Sequence, residues 1–330
     1  MQKYPFQINT KILNLTAEIS ELVGKIDTVS KLNTSPQLRR QNRIKTIYSS
    51  LAIEQNTLSE EQVTAVLSGK RVLAPPKDIA EVENAYEIYE MLDKLNPYSI
   101  DDLLKAHGVM VRNLQNEAGE FRSRPVGVVD TKGNVLHFGT LPEYVPQLVD
   151  ELLDWVKNDE NNLLIKSCVF HYEFELIHPF SDGNGRVGRL WHTLLLSKWN
   201  PLFAWLPIES VIHDRQTEYY NAINTSNVAA DSTAFIVFML SAIKEALIEA
   251  ISAEASPRSK SDKNADREKA VINFLYENGV VSNSDVRELL SVSPATANRI
   301  LNTMADKGLI IRFRNGKSWG YRLKQGKYGL

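Results

Sequence analysis

The sequence predicts a mostly α-helical protein that ends in a small basic domain, and three observations carry that reading. Apolar residues recur at helix spacing over much of residues 36–199. Strand-like runs flanking turn-forming residues stand near 126–138 and 309–323. Charge is divided unevenly: residues 265–330 hold 11 Lys and Arg against 6 Asp and Glu, formally +5, so in a chain of net charge −2 the remainder carries −7.

With 330 residues, 43% of them hydrophobic and 24% charged, the chain can bury at least one sizeable core, which excludes disorder as its overall state. Its 16 Gly and 13 Pro are too few for a collagenous or low-complexity chain. The single cysteine, Cys168, excludes an internal disulfide and a cysteine-held zinc. No apolar leader follows Met1 and no run of about 20 apolar residues could span a bilayer, so a cytoplasmic setting without membrane contact is expected.

In chain order, Ser35 and Pro36 form an N-cap and first-turn pair, and Ile44, Tyr48 and Leu51 follow at helix spacing, which predicts a long helix over 36–54. Further helices are expected near 59–68, 78–95, 99–115 and 142–157. Two more apolar helices, near 162–177 and 186–199, are the candidates for the buried centre. Within this helical part, residues 126–138 place apolar runs on either side of Asp-Thr-Lys-Gly-Asn and read as a β-hairpin. Residues 252–264 are polar and read as a linker.

The chemistry concentrates in residues 178–189, His-Pro-Phe-Ser-Asp-Gly-Asn-Gly-Arg-Val-Gly-Arg, set between the two most apolar helices. Pro179 cannot continue the preceding helix, and Gly183, Asn184 and Gly185 can turn successive N–H groups toward one point at the start of the next. Arg186 and Arg189, three apart, project from neighbouring positions and call for an anionic partner. Asp182 is a candidate Mg²⁺ ligand, and His178, with an ordinary pKa of about 6.5, is a candidate base for an attacking hydroxyl. Phosphoryl or nucleotidyl transfer needs such a set, although each residue alone also fits a plain turn, a core histidine or a salt-bridged surface.

The full string matches His-x-Phe-x-Asp/Glu-Gly-Asn-Gly-Arg-x-x-Arg at every specified position, so the protein resembles the Fic family of nucleotidyl transferases. The resemblance implies a helical core around the motif, a β-hairpin flap, and transfer of AMP from ATP to a hydroxyl of a target protein. On the matching positions His178 would deprotonate that hydroxyl, Phe180 would pack the loop into the core, and Asp182 would hold Mg²⁺. Gly183, Asn184 and Gly185 would line the phosphate cradle, and Arg186 and Arg189 would contact the triphosphate. Tyr220 and, seven residues on, Asn227 resemble the family pair that contacts the adenosine. The hairpin at 126–138 corresponds to the flap, an edge on which a target segment can lie by strand addition; an ordinary surface hairpin is the alternative.

At the end of the first long helix, Ser50 and Glu54 resemble the family's inhibitory pattern Ser/Thr-x-x-x-Glu-Gly/Asn. That pattern implies pairing of Glu54 with Arg189, in competition with the γ-phosphate of ATP. Gln55 departs from the pattern's Gly or Asn, and Asn56 is the residue expected to end the helix one position later. In some family members the same glutamate helps water remove AMP, which leaves a de-AMPylating enzyme as an alternative.

In the basic segment, helices are expected at 267–277, 283–290 and 294–307, with a hairpin around Asn315 and Gly316, together a winged helix-turn-helix. Arg299, Arg312, Arg314 and Lys317 are candidate phosphate contacts on DNA; a protein-binding or dimerising role is the alternative. The organisation is therefore an N-terminal helical region (1–97) carrying the inhibitory motif, a catalytic core (98–251), a linker (252–264) and a winged helix-turn-helix (265–330). The expected activity is Mg²⁺-dependent AMP transfer from ATP to a Ser, Thr or Tyr hydroxyl, restrained by Glu54. The competing reading is a DNA-binding regulator that uses a weakly active core as a nucleotide sensor. ATP, a target protein on the hairpin, DNA through 265–330 and a second copy of the chain are the candidate partners.

Overall fold

Helix α1 (Thr10–Val29) buries Ile12, Leu15, Ile19, Val23 and Ile26, spaced three and four apart. That spacing was legible, yet within the helical region expected over 1–97 no individual helix was marked there. The structure is a computed structural model and describes residues 4–29, 35–129, 135–255, 260–290, 292–315 and 318–323. Helix α2 (Pro36–Ile53) starts where expected: the Ser35 hydroxyl accepts from the Leu38 N–H at 3.3 Å, with Pro36 in the first turn. Helix α3 (Glu60–Val66) opens with a reciprocal capping box between Ser59 and Gln62. Helices α4 (Pro76–Glu90) and α5 (Ile100–Met110) are shorter than the apolar spacing suggested, because a 3-10 turn at Leu92–Lys94 ends the first and turns follow the second.

Strands β1 (Gly127–Val129) and β2 (Val135–Phe138) pair antiparallel with an irregularity at Val128/Val129; residues 130–134, where a turn was expected, lie outside the described residues. Helix α6 (Val145–Asn158) leads to α7 (Leu163–Ile177) and α8 (Asn184–Trp199), which pack against each other. Both are buried along almost their whole length. Full burial of one large apolar side chain contributes roughly 1.5–3 kcal/mol, so this pair is the mechanical centre of the core. Helices α9 (Ile208–Asp214), α10 (Gln216–Ala229) and α11 (Thr233–Ala255) complete the first unit.

The chain divides into two compact units, Met1–Glu254 and Ala255–Leu330. Within the stretch expected to be a linker, 252–264, α11 runs through Ala255 and α12 (Lys260–Asn278) begins at Lys260, and the division between the two units falls inside it. Residues 256–259 lie outside the described ones. In the second unit, β3 (Val281–Ser282), α13 (Asn283–Leu290) and α14 (Pro294–Asp306) precede β4 (Ile310–Asn315) and β5 (Ser318–Leu323). The antiparallel sheet has the order β3-β5-β4 and closes a core that includes Val271, Val286, Leu301 and Tyr321. The architecture is mostly α with a small winged helix-turn-helix at the C-terminal end. Among the described residues no helix is long and apolar enough to cross a membrane.

Candidate active site

The bend 178–183 between α7 and α8 is held from several sides. His178 is the C-cap of α7 in the left-handed region, with φ 53°, a conformation that costs a non-glycine residue about 1 kcal/mol. Arg122, only 2% exposed, holds it there. Its Nε donates to the His178 carbonyl at 2.7 Å and its main-chain N–H to the Pro179 carbonyl at 3.0 Å. The same guanidinium donates to the carbonyls of Arg124 and Thr140, which flank the hairpin, so one side chain ties the hairpin base to the bend. Gly139 is required for this: a Cβ there would stand 2.9 Å from Arg122 Nη2.

Phe180 is fully buried and stacks on His107 at 3.7 Å between ring centres. The Gly119 N–H donates to His107 Nδ1 at 3.1 Å, so Nε2 carries the proton and donates to the Asp182 carbonyl at 3.0 Å. Burial pushes this imidazole down to about 4, which keeps it neutral. Asn184 turns its amide back on the bend, accepting from the Phe180 N–H at 2.9 Å and donating to the Phe180 carbonyl at 2.8 Å. Its main-chain N–H is therefore what it can present to a ligand. Gly183 caps α8 with φ 87°, and a Cβ there would meet Val111 Cγ1 at 2.8 Å.

The first-turn amides of α8 lack intrahelical acceptors and carry the positive end of the helix dipole. The two arginines beside them are already paired within the chain. Arg186 Nη1 lies 3.2 Å from Glu81 Oε1 and Nη2 3.0 Å from Asp182 Oδ1. Arg186 Nε is buried with no hydrogen-bond partner among the described residues. Arg189, 2% exposed, reaches Glu54 Oε1 at 2.7 Å, the Ser50 carbonyl at 2.9 Å and the Ser50 hydroxyl at 3.1 Å. Burial opposes the Arg189 charge, and the Glu54 carboxylate more than offsets it, so the guanidinium stays above its ordinary range. A Cβ on Gly185 would overlap Glu54 Oε1, so the acid lies directly over the cradle.

The end of α2 explains Gln55. The Asn56 N–H donates to the Leu51 carbonyl at 3.1 Å and the Gln55 N–H to the Ala52 carbonyl at 3.0 Å, a Schellman motif. Its left-handed residue is Gln55, with φ 66°. This corrects the expectation that Asn56 ends the helix, and it shows why Gly or Asn is the easier residue at position 55. Asn56 instead donates to Glu81 Oε2 at 2.8 Å, which joins the helix end to the Arg186 pair.

The sequence-predicted residues His178, Asp182, Gly183, Asn184, Gly185, Arg186, Arg189, Ser50 and Glu54 thus converge on the start of α8. Tyr220 is 41% exposed, and its phenol is pushed up by burial and by the Glu54 charge. Asn227, seven residues on and about 10 Å along the same face, accepts from the Tyr172 hydroxyl at 2.9 Å. Arg299, Arg312 and Arg314 are exposed in the second unit, with Arg312 stacked over Trp319 at 3.9 Å; Lys317 lies outside the described residues. Sequence reasoning missed Arg122, His107, Glu81 and Glu175, which act through the bend and carry no motif of their own.

For a metal, the described residues hold no group of three or more His, Cys, Asp or Glu. Asp182, with a side chain 56% exposed, uses Oδ1 for Arg186 and for the Gly183 N–H at 2.6 Å. One carboxylate beside a phosphate cradle fits Mg²⁺, which takes most of its ligands from substrate phosphates and water.

Residues 97–196 match the family model described as Fic/DOC family, and residues 262–324 match one described as transcriptional regulator DIP2311-like, C-terminal domain. The protein adenylyltransferase fic-1 of Caenorhabditis elegans is 32% identical over 249 residues, 67% of this chain and 46% of that protein. The protein adenylyltransferase Fic of Nematostella vectensis is 29% identical over 205 residues, 58% of this chain and 45% of that protein. The chain thus spans about half the length of these curated relatives. A crystal structure of a Fic family protein from Desulfovibrio desulfuricans G20 superposes with a TM-score of 0.75 at 41% identity, covering 99% of this chain and 100% of that one. A fragment of Caenorhabditis elegans Fic-1 shares the fold, with a TM-score of 0.60 at 24% identity over 73% of each chain. With its motif, its bend and a full-length structural relative in agreement, the chain belongs to the Fic family.

Proposed function

We propose that the protein is an adenylyltransferase that moves AMP from ATP to a Ser, Thr or Tyr hydroxyl of a target protein and is held back by Glu54. The observation that carries this reading is the Glu54–Arg189 ion pair over the first turn of α8, where an acid of the chain occupies an anion site beside a histidine. In the proposed step the hydroxyl oxygen attacks the α-phosphorus of ATP while its proton passes to His178. A phosphorus–oxygen bond forms, the bond to the bridging oxygen breaks, and pyrophosphate leaves with that electron pair. The α8 amides and Arg189 take the triphosphate, Arg186 steadies Asp182, and Tyr220 and Asn227 flank the adenosine. Asp182 would hold Mg²⁺, whose charge would offset that of the phosphates. A target segment would add a strand to the hairpin, and a cytoplasmic setting belongs to the same reading.

Glu54 blocks by competition. A carboxylate fixed on the protein acts at high effective concentration, so one ion pair biases how the triphosphate seats. The test is ATP labelled at the α-phosphate, incubated with the chain, its Glu54→Gly variant and candidate proteins. Label on protein that disappears in His178→Ala supports transfer, and absence of label from every Glu54→Gly reaction contradicts it.

A second reading is favoured by the match of residues 262–324 to a transcriptional regulator domain: a DNA-binding regulator that senses nucleotide through the core. The exposed Arg312 and Arg314 beside Trp319 would meet phosphates. Nucleotide-dependent DNA affinity without protein labelling would favour it.

A further inference from the structure

Glu175 lies one turn before His178 and is only 15% exposed at its side chain. Its main-chain carbonyl is 3.3 Å from His178 Nδ1, and its carboxylate Oε2 is 4.0 Å from the same nitrogen. A carbonyl oxygen only accepts, so this contact selects the tautomer with the proton on Nδ1 and the lone pair on Nε2. The other carboxylate oxygen, Oε1, is buried without a hydrogen-bond partner among the described residues. Space for it is left by Gly188, where a Cβ would stand 3.0 Å from Oε1.

We infer that Glu175 is a positioning residue for His178: its carbonyl fixes the imidazole with Nε2 ready to receive a proton, and its carboxylate stabilises the imidazolium that results. The inference rests on the reading of His178 as the base. It follows the logic by which a buried acid orients a catalytic histidine and steadies its charged form.

The groups facing this carboxyl set when it is charged. His171 Nε2 lies 3.9 Å from Oε1, His178 stands at the other oxygen, Arg189 approaches from α8, Glu54 from α2, and Tyr219 and Tyr220 from α10. Burial lifts Glu175 to about 7, with Arg189 pulling it down and Glu54 pushing it up. Below that pH the carboxyl is neutral and its support for the imidazolium is lost; above it the support is present. The two groups titrate as a coupled pair.

The test uses the full chain labelled with ¹⁵N-histidine, the His178 signals being identified by their loss in His178→Ala. Glu175→Gln keeps the shape of the side chain in its neutral form. The expected result is an apparent His178 pKa lower by about one unit in Glu175→Gln, and a neutral wild-type imidazole protonated on Nδ1. An unchanged pKa in the folded variant overturns the inference. A neutral wild-type His178 protonated on Nε2 also overturns it, and needs no variant. Label transfer supplies a separate readout: its pH limb moves to lower pH in Glu175→Gln and the plateau falls about threefold, as expected for a weaker base. If no protein is ever labelled but the pKa shift is present, the pairing stands and the transfer reading falls. Normal transfer with no pKa shift overturns the pairing alone.

Discussion

The bend after α7 and the end of α2 meet at Arg189, and they are held in place very differently. The bend is fixed by Arg122 and Asn184, each making two or more hydrogen bonds to its main chain or flanks, and by His107, which bonds the Asp182 carbonyl and is itself held by the Gly119 N–H. The end of α2 rests on a Schellman motif whose left-handed position is filled by Gln55; it meets Arg189 of α8 through Ser50 and Glu54, and Glu81 through Asn56. Buried polar networks that are satisfied rigidify, whereas Glu54, with its side chain 34% exposed, can turn into water while the Ser50 hydroxyl and carbonyl still accept from the buried Arg189. In the proposed function the rigid start of α8 is the anion site and Glu54 its removable stop.

The sharpest way to break the comparison is at its rigid side. His178→Ala should lower AMP transfer by about 10²–10⁴-fold while ATP still binds, since the imidazole acts on the incoming hydroxyl; loss of ATP binding by calorimetry would point to a structural histidine instead. Arg122→Ala should cost about 2–4 kcal/mol in a denaturant titration, with Arg122→Lys recovering part of it. On the other side, Glu54→Gly should raise transfer by about tenfold or more, equivalent to about 1.4 kcal/mol, with a lower melting temperature because the buried Arg189 loses its counter-charge.

Smaller effects sharpen the picture. Glu173, like Glu175, is raised to about 7 by burial. In the unfolded chain it titrates near 4.5, so between these values the folded protein holds the extra proton. Stability therefore falls as pH rises from about 4.5 through about 7 and is level above. Glu173→Gln should raise the melting temperature at pH 8 by about 2–5 °C and change it less at pH 5. Gln55→Gly should stabilise the chain by about 0.5–1 kcal/mol and, by firming the end of α2, should not raise transfer.

Much of this was legible in the sequence because local rules decide it. The Ser35 cap, the apolar α7 and α8, and the twelve residues 178–189 declare themselves through capping, periodicity and motif. The Glu54–Arg189 pair was expected from the resemblance of Ser50 and Glu54 to an inhibitory pattern, but the Glu81 partner of Arg186 was not visible, because it meets Arg186 only through tertiary packing. Arg122 and His107 were hidden for the same reason: a buried side chain bonded to distant main chain leaves no spacing signal.

The central claim, that Glu54 and the γ-phosphate compete for Arg189, is tested most directly by comparing nucleotide donors. AMP transfer by wild type and Glu54→Gly would be measured with ATP and with ADP, which has no γ-phosphate. The account predicts a rise of about tenfold in the variant with ATP and little change with ADP. Equal rises with both donors, or none with ATP, would contradict it.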